Sequence, residues 1–247
     1  MSAEFRDHFS HDSALYAASR PTYPGELADF LARESPARRL VWEAGCGSGQ
    51  LSLLLAERFE CVLATDPSAQ QIAAATAHAR IEYRLAPAEA SGLPEHSADL
   101  VVAAQAAHWF ELERFYTEAR RVVKPGALLA LVSYGKTRVT PELDVLIDEF
   151  HDRTLLGYWP PERAHVVDGY AQLAFPFVRL PVPELAIVRE WGVDEMLAYV
   201  RTWSGVTALL KAGKSAEFER FGARLRRVWG TSREVRWPLT VLAARLP

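Results

Sequence analysis

The chain has 247 residues, 49% of them hydrophobic and 24% charged, with a formal net charge of −3. That length suits a single domain with a sizeable core, and the composition excludes disordered and fibrous classes. The slight acidity argues against a broad nucleic-acid footprint, and no stretch approaches the roughly 18 apolar residues of a membrane span.

Along the chain, short apolar runs alternate with helical patterns from Leu40 onward, which predicts a parallel sheet covered on both faces. Leu40 to Glu43 reads as the first strand, followed by a helix over Gly49 to Arg58 with Leu51, Leu54 and Leu55 on one face. Cys61 to Thr65 reads as the second strand, and Ser68 as N-cap of an Ala-rich helix ending near Ala79. Ile81 to Leu85 and Ala98 to Ala103 make strands three and four. A helix with Leu112, Phe115, Tyr116, Ala119, Val122 and Val123 on its apolar face is expected to stop at Lys124-Pro125-Gly126, before strand five at Ala127 to Tyr134.

Leu143, Leu146, Ile147 and Phe150 mark a further helix. The proline-rich stretch from Tyr158 to Pro183 reads as an insertion over the sheet. Helices follow around Met196 to Trp203 and Phe218 to Val228, and Val235 to Arg245 is a closing strand with Pro238 near its start. One domain over 1–247 is expected: an N-terminal lid (1–25), a core (26–135), an insertion and substrate cap (136–234), and the closing strand (235–247).

In such a sheet the carboxyl ends of strands one to four share an edge, where ligands bind. Gly45, Gly47 and Gly49 stand after strand one, and Asp66 lies 66 − 45 = 21 residues beyond the first of them. That is the spacing of an acid that accepts ribose hydroxyls. A dinucleotide fingerprint needs glycine at position 50, where Gln50 stands, so an NAD-dependent oxidoreductase is disfavoured. A ligand with adenosine and no diphosphate fits better, with Glu43 accepting from a charged amine.

The segments EAGCGSGQ, ATDPSAQQI, LAPAEASGLP, DLVVAAQAAHWF and RRVVKPGALLALVSY together resemble a class I S-adenosylmethionine-dependent methyltransferase. The resemblance leans toward the small-molecule, trans-aconitate methyltransferase-like branch. It covers residues 5 to 135, including HFSHDSALYAASRPTYP as a lid, and extends loosely to YVRTWSG and RWPLTVLAARL.

The resemblance implies a Rossmann-like doubly wound α/β fold with a mostly parallel seven-stranded sheet whose last strand is antiparallel. It also implies that Glu43, Gly45, Gly47 and Gln50 surround the methionine part of the cofactor, that Asp66 holds the ribose, that Ala88 and Glu89 flank the adenine, and that Gln105 and Ala106 lie beside the sulfonium. Glu43 departs from the usual aspartate, and Ala127 from a usual glycine.

The expected reaction is methyl transfer from S-adenosyl-L-methionine to a carboxylate or hydroxyl oxygen of a small molecule. A non-catalytic methyltransferase-like binding module is the alternative. Tyr16 and Arg20 in the lid are expected to cover cofactor and acceptor, with Trp109, Arg201 and Trp203 on the acceptor side and His108 facing the acceptor as a candidate base. The two cysteines, Cys46 and Cys61, read as free thiols that suit no metal site. Lacking a signal-peptide pattern at its start, the protein is expected in the cytoplasm, with no nucleic-acid or membrane partner.

Overall fold

Successive residues of each central strand point to opposite faces, and the core divides accordingly. Val41, Val62, Leu100, Leu128, Ala130 and Val132 pack on one face. Their neighbours Trp42, Leu63, Val101, Leu129 and Leu131 pack on the other. Strands buried on both faces are what a parallel sheet sandwiched by helices demands. The computed structural model describes residues 21–247, so the lid residues Tyr16 and Arg20 lie outside the described residues.

The strands are β1 (Leu40–Ala44), β2 (Cys61–Asp66), β3 (Ile81–Leu85), β4 (Ala98–Ala104), β5 (Val123–Tyr134), β6 (Ala186–Trp191) and β7 (Arg233–Arg245). They form one sheet in the order β3-β2-β1-β4-β5-β7-β6. Pairs among β1 to β5 are parallel, with Val41 opposite Val62 and Leu100. β7 runs antiparallel to both β5 and β6. The expected doubly wound sheet with an antiparallel last strand is the observed one.

Helix α1 (Gly25–Glu34) packs Leu27, Phe30 and Leu31 into the first face. α2 (Gln50–Ala56) follows β1, α3 (Ala69–Ala73) follows β2 and α4 (Leu112–Val122) follows β4. α4 buries Phe115, Tyr116, Ala119 and Val122 in the second face. At the opposite edge from the glycines, the buried Asp99 carboxylate accepts the Arg39 and Leu40 N–H groups and the Lys124 ammonium, tying β1, β4 and β5 together.

Beyond β5 lie α5 (Pro141–Glu149), a π-helical turn (Phe150–Thr154), α6 (Arg163–Val167), α7 (Val193–Arg201), α8 (Ser204–Lys211) and α9 (Ser215–Trp229). Four details differ from the expectations. α3 ends at Ala73, and the remaining alanines to Ala79 are not helical. β5 begins at Val123, because Val123 pairs with Ala98 before a register shift lets Leu128 pair with Leu100. Gly126, at φ +76°, donates to Leu246 O within that irregular start. The region read as an insertion also contributes β6, a half-buried edge strand in which only Ile187 is fully buried, so it lacks the apolar run that marks the inner strands. α1 and α8 were not marked by the periodicity.

Candidate functional site

The loop after β1 approaches two neighbours so closely that side chains are excluded. Gly45 has φ +68°, and a Cβ there would lie 2.5 Å from the Ala106 Cβ beyond β4. Gly49, the N-cap of α2 at φ +82°, would drive a Cβ into the Tyr83 hydroxyl. Only glycine meets both the positive φ and the contact. Between them, Gly47 N–H donates to Asp66 Oδ2 at 2.9 Å, and Ser68 N–H to Asp66 Oδ1 at 2.8 Å. Asp66 thus joins the glycine loop to the start of α3, where the Ser68 hydroxyl caps the helix by accepting the Gln71 N–H.

Glu43 ends up 2% exposed, with the Ser52 hydroxyl donating to its Oε2. Burial, reinforced by the nearby Asp66 charge, pushes its carboxyl up to about 8 against the pull of Ser52. Two buried polar atoms beside this loop have no hydrogen-bond partner: Tyr83 Oη and Gln71 Oε1, the latter 3.7 Å from where a Gly47 Cβ would stand. Buried polar groups are ordinarily satisfied, so these orphans suit a ligand rich in hydroxyl and amine donors. Sequence reasoning missed Ser52, Gln71 and Tyr83; the one signal for Ser52 is a polar residue within the apolar run of α2.

The other expected site residues divide. Gln50 opens α2 at the loop, and Ala88 and Ala106 are buried on the same edge. One Glu89 oxygen serves the scaffold, accepting the Glu111 N–H at the entry to α4. Gln105, at φ +54°, turns its side chain away to β5: Nε2 donates to Tyr134 O at 2.7 Å, and Oε1 accepts from the Ser133 hydroxyl. It therefore offers backbone to the site and uses its amide as a strut. Tyr23, just before α1, packs edge-on against Tyr134 at 6.1 Å at the same sheet end.

His108 lies in a 3-10 turn (Ala107–Trp109), its ring 4.9 Å from that of the half-buried Trp109 and its Nδ1 3.1 Å from the Tyr170 hydroxyl. Burial, then Arg163 and His165, push its pKa down to about 3. The imidazole is neutral near pH 7 and a weak base, which opposes its expected role. Trp203 is 4% exposed within an aromatic cluster with His151, Trp159 and Tyr199. Arg201 ends α7 exposed.

A family model described as a methyltransferase domain matches residues 42–131, the span from β1 to β5. A candidate methyltransferase of Dictyostelium discoideum is 36% identical over 214 residues, covering 85% of this chain and 81% of that one. The chain belongs to the methyltransferase family. A solved structure of a candidate type II methyltransferase from Anaeromyxobacter dehalogenans overlays this methyltransferase with TM-score 0.87 at 46% identity, covering 92% and 99% of the two chains. An uncharacterised methyltransferase of Mycobacterium tuberculosis is 37% identical over 125 residues, about half of each chain. The enzyme is dependent on S-adenosylmethionine, and the glycine cradle, the buried acids and the orphaned Gln71 and Tyr83 oxygens fit that group. Among the described residues no helix is long and apolar enough to cross a membrane.

Proposed function

We propose that this methyltransferase transfers the methyl group of S-adenosylmethionine to an oxygen of a small molecule in the cytoplasm. The observation that carries the reading is the shape of the carboxyl edge. A glycine loop bound to Asp66 follows β1, His108 and Trp109 follow β4, and the Trp159–Trp203 cluster is tied to the end of β5 through His151, Asp152 and Lys136. Bound there, the sulfonium supplies an already activated methyl group.

The chain's residues hold and orient. Asp66 accepts ribose hydroxyls, with Gln71 Oε1 beside Gly47 as a further acceptor. Glu43 accepts the methionine ammonium, Ala88 and Glu89 border the adenine, and Gly45, Gly47, Gln50 and the Gln105–Ala106 backbone bound the reacting end. Trp109 and Trp203 wall the acceptor side, and positioning of acceptor oxygen against methyl supplies much of the acceleration. Tyr16 and Arg20, which lie outside the described residues, are assigned to cofactor and acceptor binding on the sequence resemblance alone, with residues 1–247 taken as one domain. A small acceptor, rather than nucleic acid, is supported by the pairing of the late arginines with acids: Arg220 with Glu217, Arg224 with Glu149 and Arg226 with Asp194.

The test is titration calorimetry with S-adenosylhomocysteine, followed by labelled-methyl turnover on a metabolite pool. Absence of binding overturns the reading. Binding without turnover on any acceptor identifies a binding module.

A further inference from the structure

Two imidazoles of the cap feel the same cation, Arg163, yet differ in their partners. His108 has a phenol on Nδ1. His151, in the π-helical turn, has a carboxylate: its Nδ1 is 2.7 Å from Asp152 Oδ1, and the other Asp152 oxygen accepts from the Lys136 ammonium at 2.6 Å. A carboxylate on Nδ1 holds the proton there and leaves the lone pair on Nε2, the arrangement that orients a general base.

That Nε2 is buried with no hydrogen-bond partner, on a residue 4% exposed. The Trp203 ring is 5.5 Å away, and its Nε1–H is a second buried polar group without a partner. Trp159 stacks obliquely 4.5 Å from His151, its indole donating to His151 O, and the Arg163 guanidinium lies 5.2 Å over the Trp159 ring. An orphaned acceptor and an orphaned donor thus stand together in a cluster that includes a cation over the Trp159 ring.

The cluster is tied to the carboxyl end of β5. Tyr134, which ends β5, accepts the Gln105 amide, and two residues later Lys136 grips Asp152. Gly135 lies under the Val166 carbonyl, 3.2 Å from where its Cβ would be, so α6 seats Arg163 on the same strand end.

We propose that His151, Trp203 and Arg163 form the acceptor subsite, and that it takes a small planar anion carrying a weakly acidic hydroxyl, such as a phenolic acid. The inference rests on the methyl-transfer reading above. The anion faces Arg163, Trp203 donates to an acceptor oxygen, and the hydroxyl bonds His151 Nε2. In the transfer the hydroxyl proton passes to Nε2 and an oxygen electron pair forms the O–CH3 bond. The S–CH3 pair stays on sulfur as a neutral thioether, and the imidazolium then releases its proton to solvent. Burial, Arg163 and Lys136 favour the neutral ring and Asp152 opposes them, with a net lowering that leaves the imidazole favouring its neutral form, lone pair on Nε2.

The test uses the full chain, labelled with 15N-histidine and saturated with S-adenosylhomocysteine, with salicylate and benzoate as probes. Salicylate should bind at least tenfold more tightly than benzoate and shift the His151 Nε2 resonance. H151Q and D152N should each cut that preference below threefold while S-adenosylhomocysteine affinity stays within twofold. D152N decides the matter if H151Q fails to fold. R163Q should weaken both probes alike, about tenfold. Equal or absent probe binding, an unmoved His151 resonance, or a preference that survives both His151 and Asp152 substitutions overturns the proposal. Failure of S-adenosylhomocysteine to bind overturns the methyl-transfer reading itself, so the two failures are distinguishable.

Discussion

Asp66 holds Gly47: the carboxylate at the end of β2 accepts the backbone N–H at the centre of the glycine loop, at 2.9 Å. The residue read as a ribose acceptor is therefore also a fastening of the loop proposed to carry the cofactor. Asp66→Ala should lose both, lowering S-adenosylhomocysteine affinity by about 1.5–3 kcal/mol, roughly ten- to a hundredfold, through the lost charge-assisted bonds. It should also lower Tm, because the Gly47 and Ser68 N–H groups lose their acceptor. Calorimetry and thermal melts of the same sample check both; unchanged affinity in a folded variant contradicts the assignment.

Glu43 predicts a proton linkage. Burial raises its carboxyl from 4.5 to about 8, so between those values the folded protein holds a proton that the unfolded chain has released. Stability of the ligand-free protein should fall as pH rises through that window and level off above it. Asp66, Cys46 and Tyr83 are the titratable neighbours of this carboxyl, and burial also raises the Cys46 thiol and takes the Tyr83 phenol to about 12, so both stay neutral there. A ligand ammonium favours ionised Glu43, so S-adenosylhomocysteine should bind with proton release below pH 8 and more tightly as pH rises from 6 to 8. Calorimetry in two buffers of different ionisation enthalpy measures the release, which Glu43→Gln should abolish.

Gly45→Ala should cost about 1–3 kcal/mol of stability from the strained backbone alone, with further loss from the overlap with Ala106. The variant tests whether that contact sets the loop's shape: a normal Tm together with normal S-adenosylhomocysteine affinity would show that the loop can yield.

His108→Gln should leave the pH dependence of turnover between 6 and 8 unchanged, because a group at about 3 does not titrate there. Activity should fall through lost packing on Trp109 and the lost bond to Tyr170, and Tyr170→Phe should reproduce part of that fall. A shift of the acidic limb on His108 substitution would restore the histidine as the base.

The strands and the glycine loop at their carboxyl edge were legible because their signals are local. Leu40 to Ala44 and Ala98 to Ala104 are short apolar runs between helical patterns, the glycines are two residues apart, and Ser68 caps a helix that starts at the next residue. What the side chains do at that edge was settled by tertiary contacts between residues distant in sequence. Gln105 carries no mark showing that its amide will be spent on Tyr134, 29 residues away, nor does His108 show that Tyr170, 62 residues on, will meet its ring. β6 is not legible because a half-buried edge strand with a single fully buried residue lacks the apolar run of the inner strands, and it is a strand by virtue of its pairing with β7. The sequence by itself determined the sheet, the loop and the acids after β1 and β2, since backbone periodicity and glycine geometry are written in adjacent residues. Only the tertiary structure decided which imidazole meets a carboxylate and which is left neutral against a phenol, because burial and neighbouring charge are properties of the packed chain.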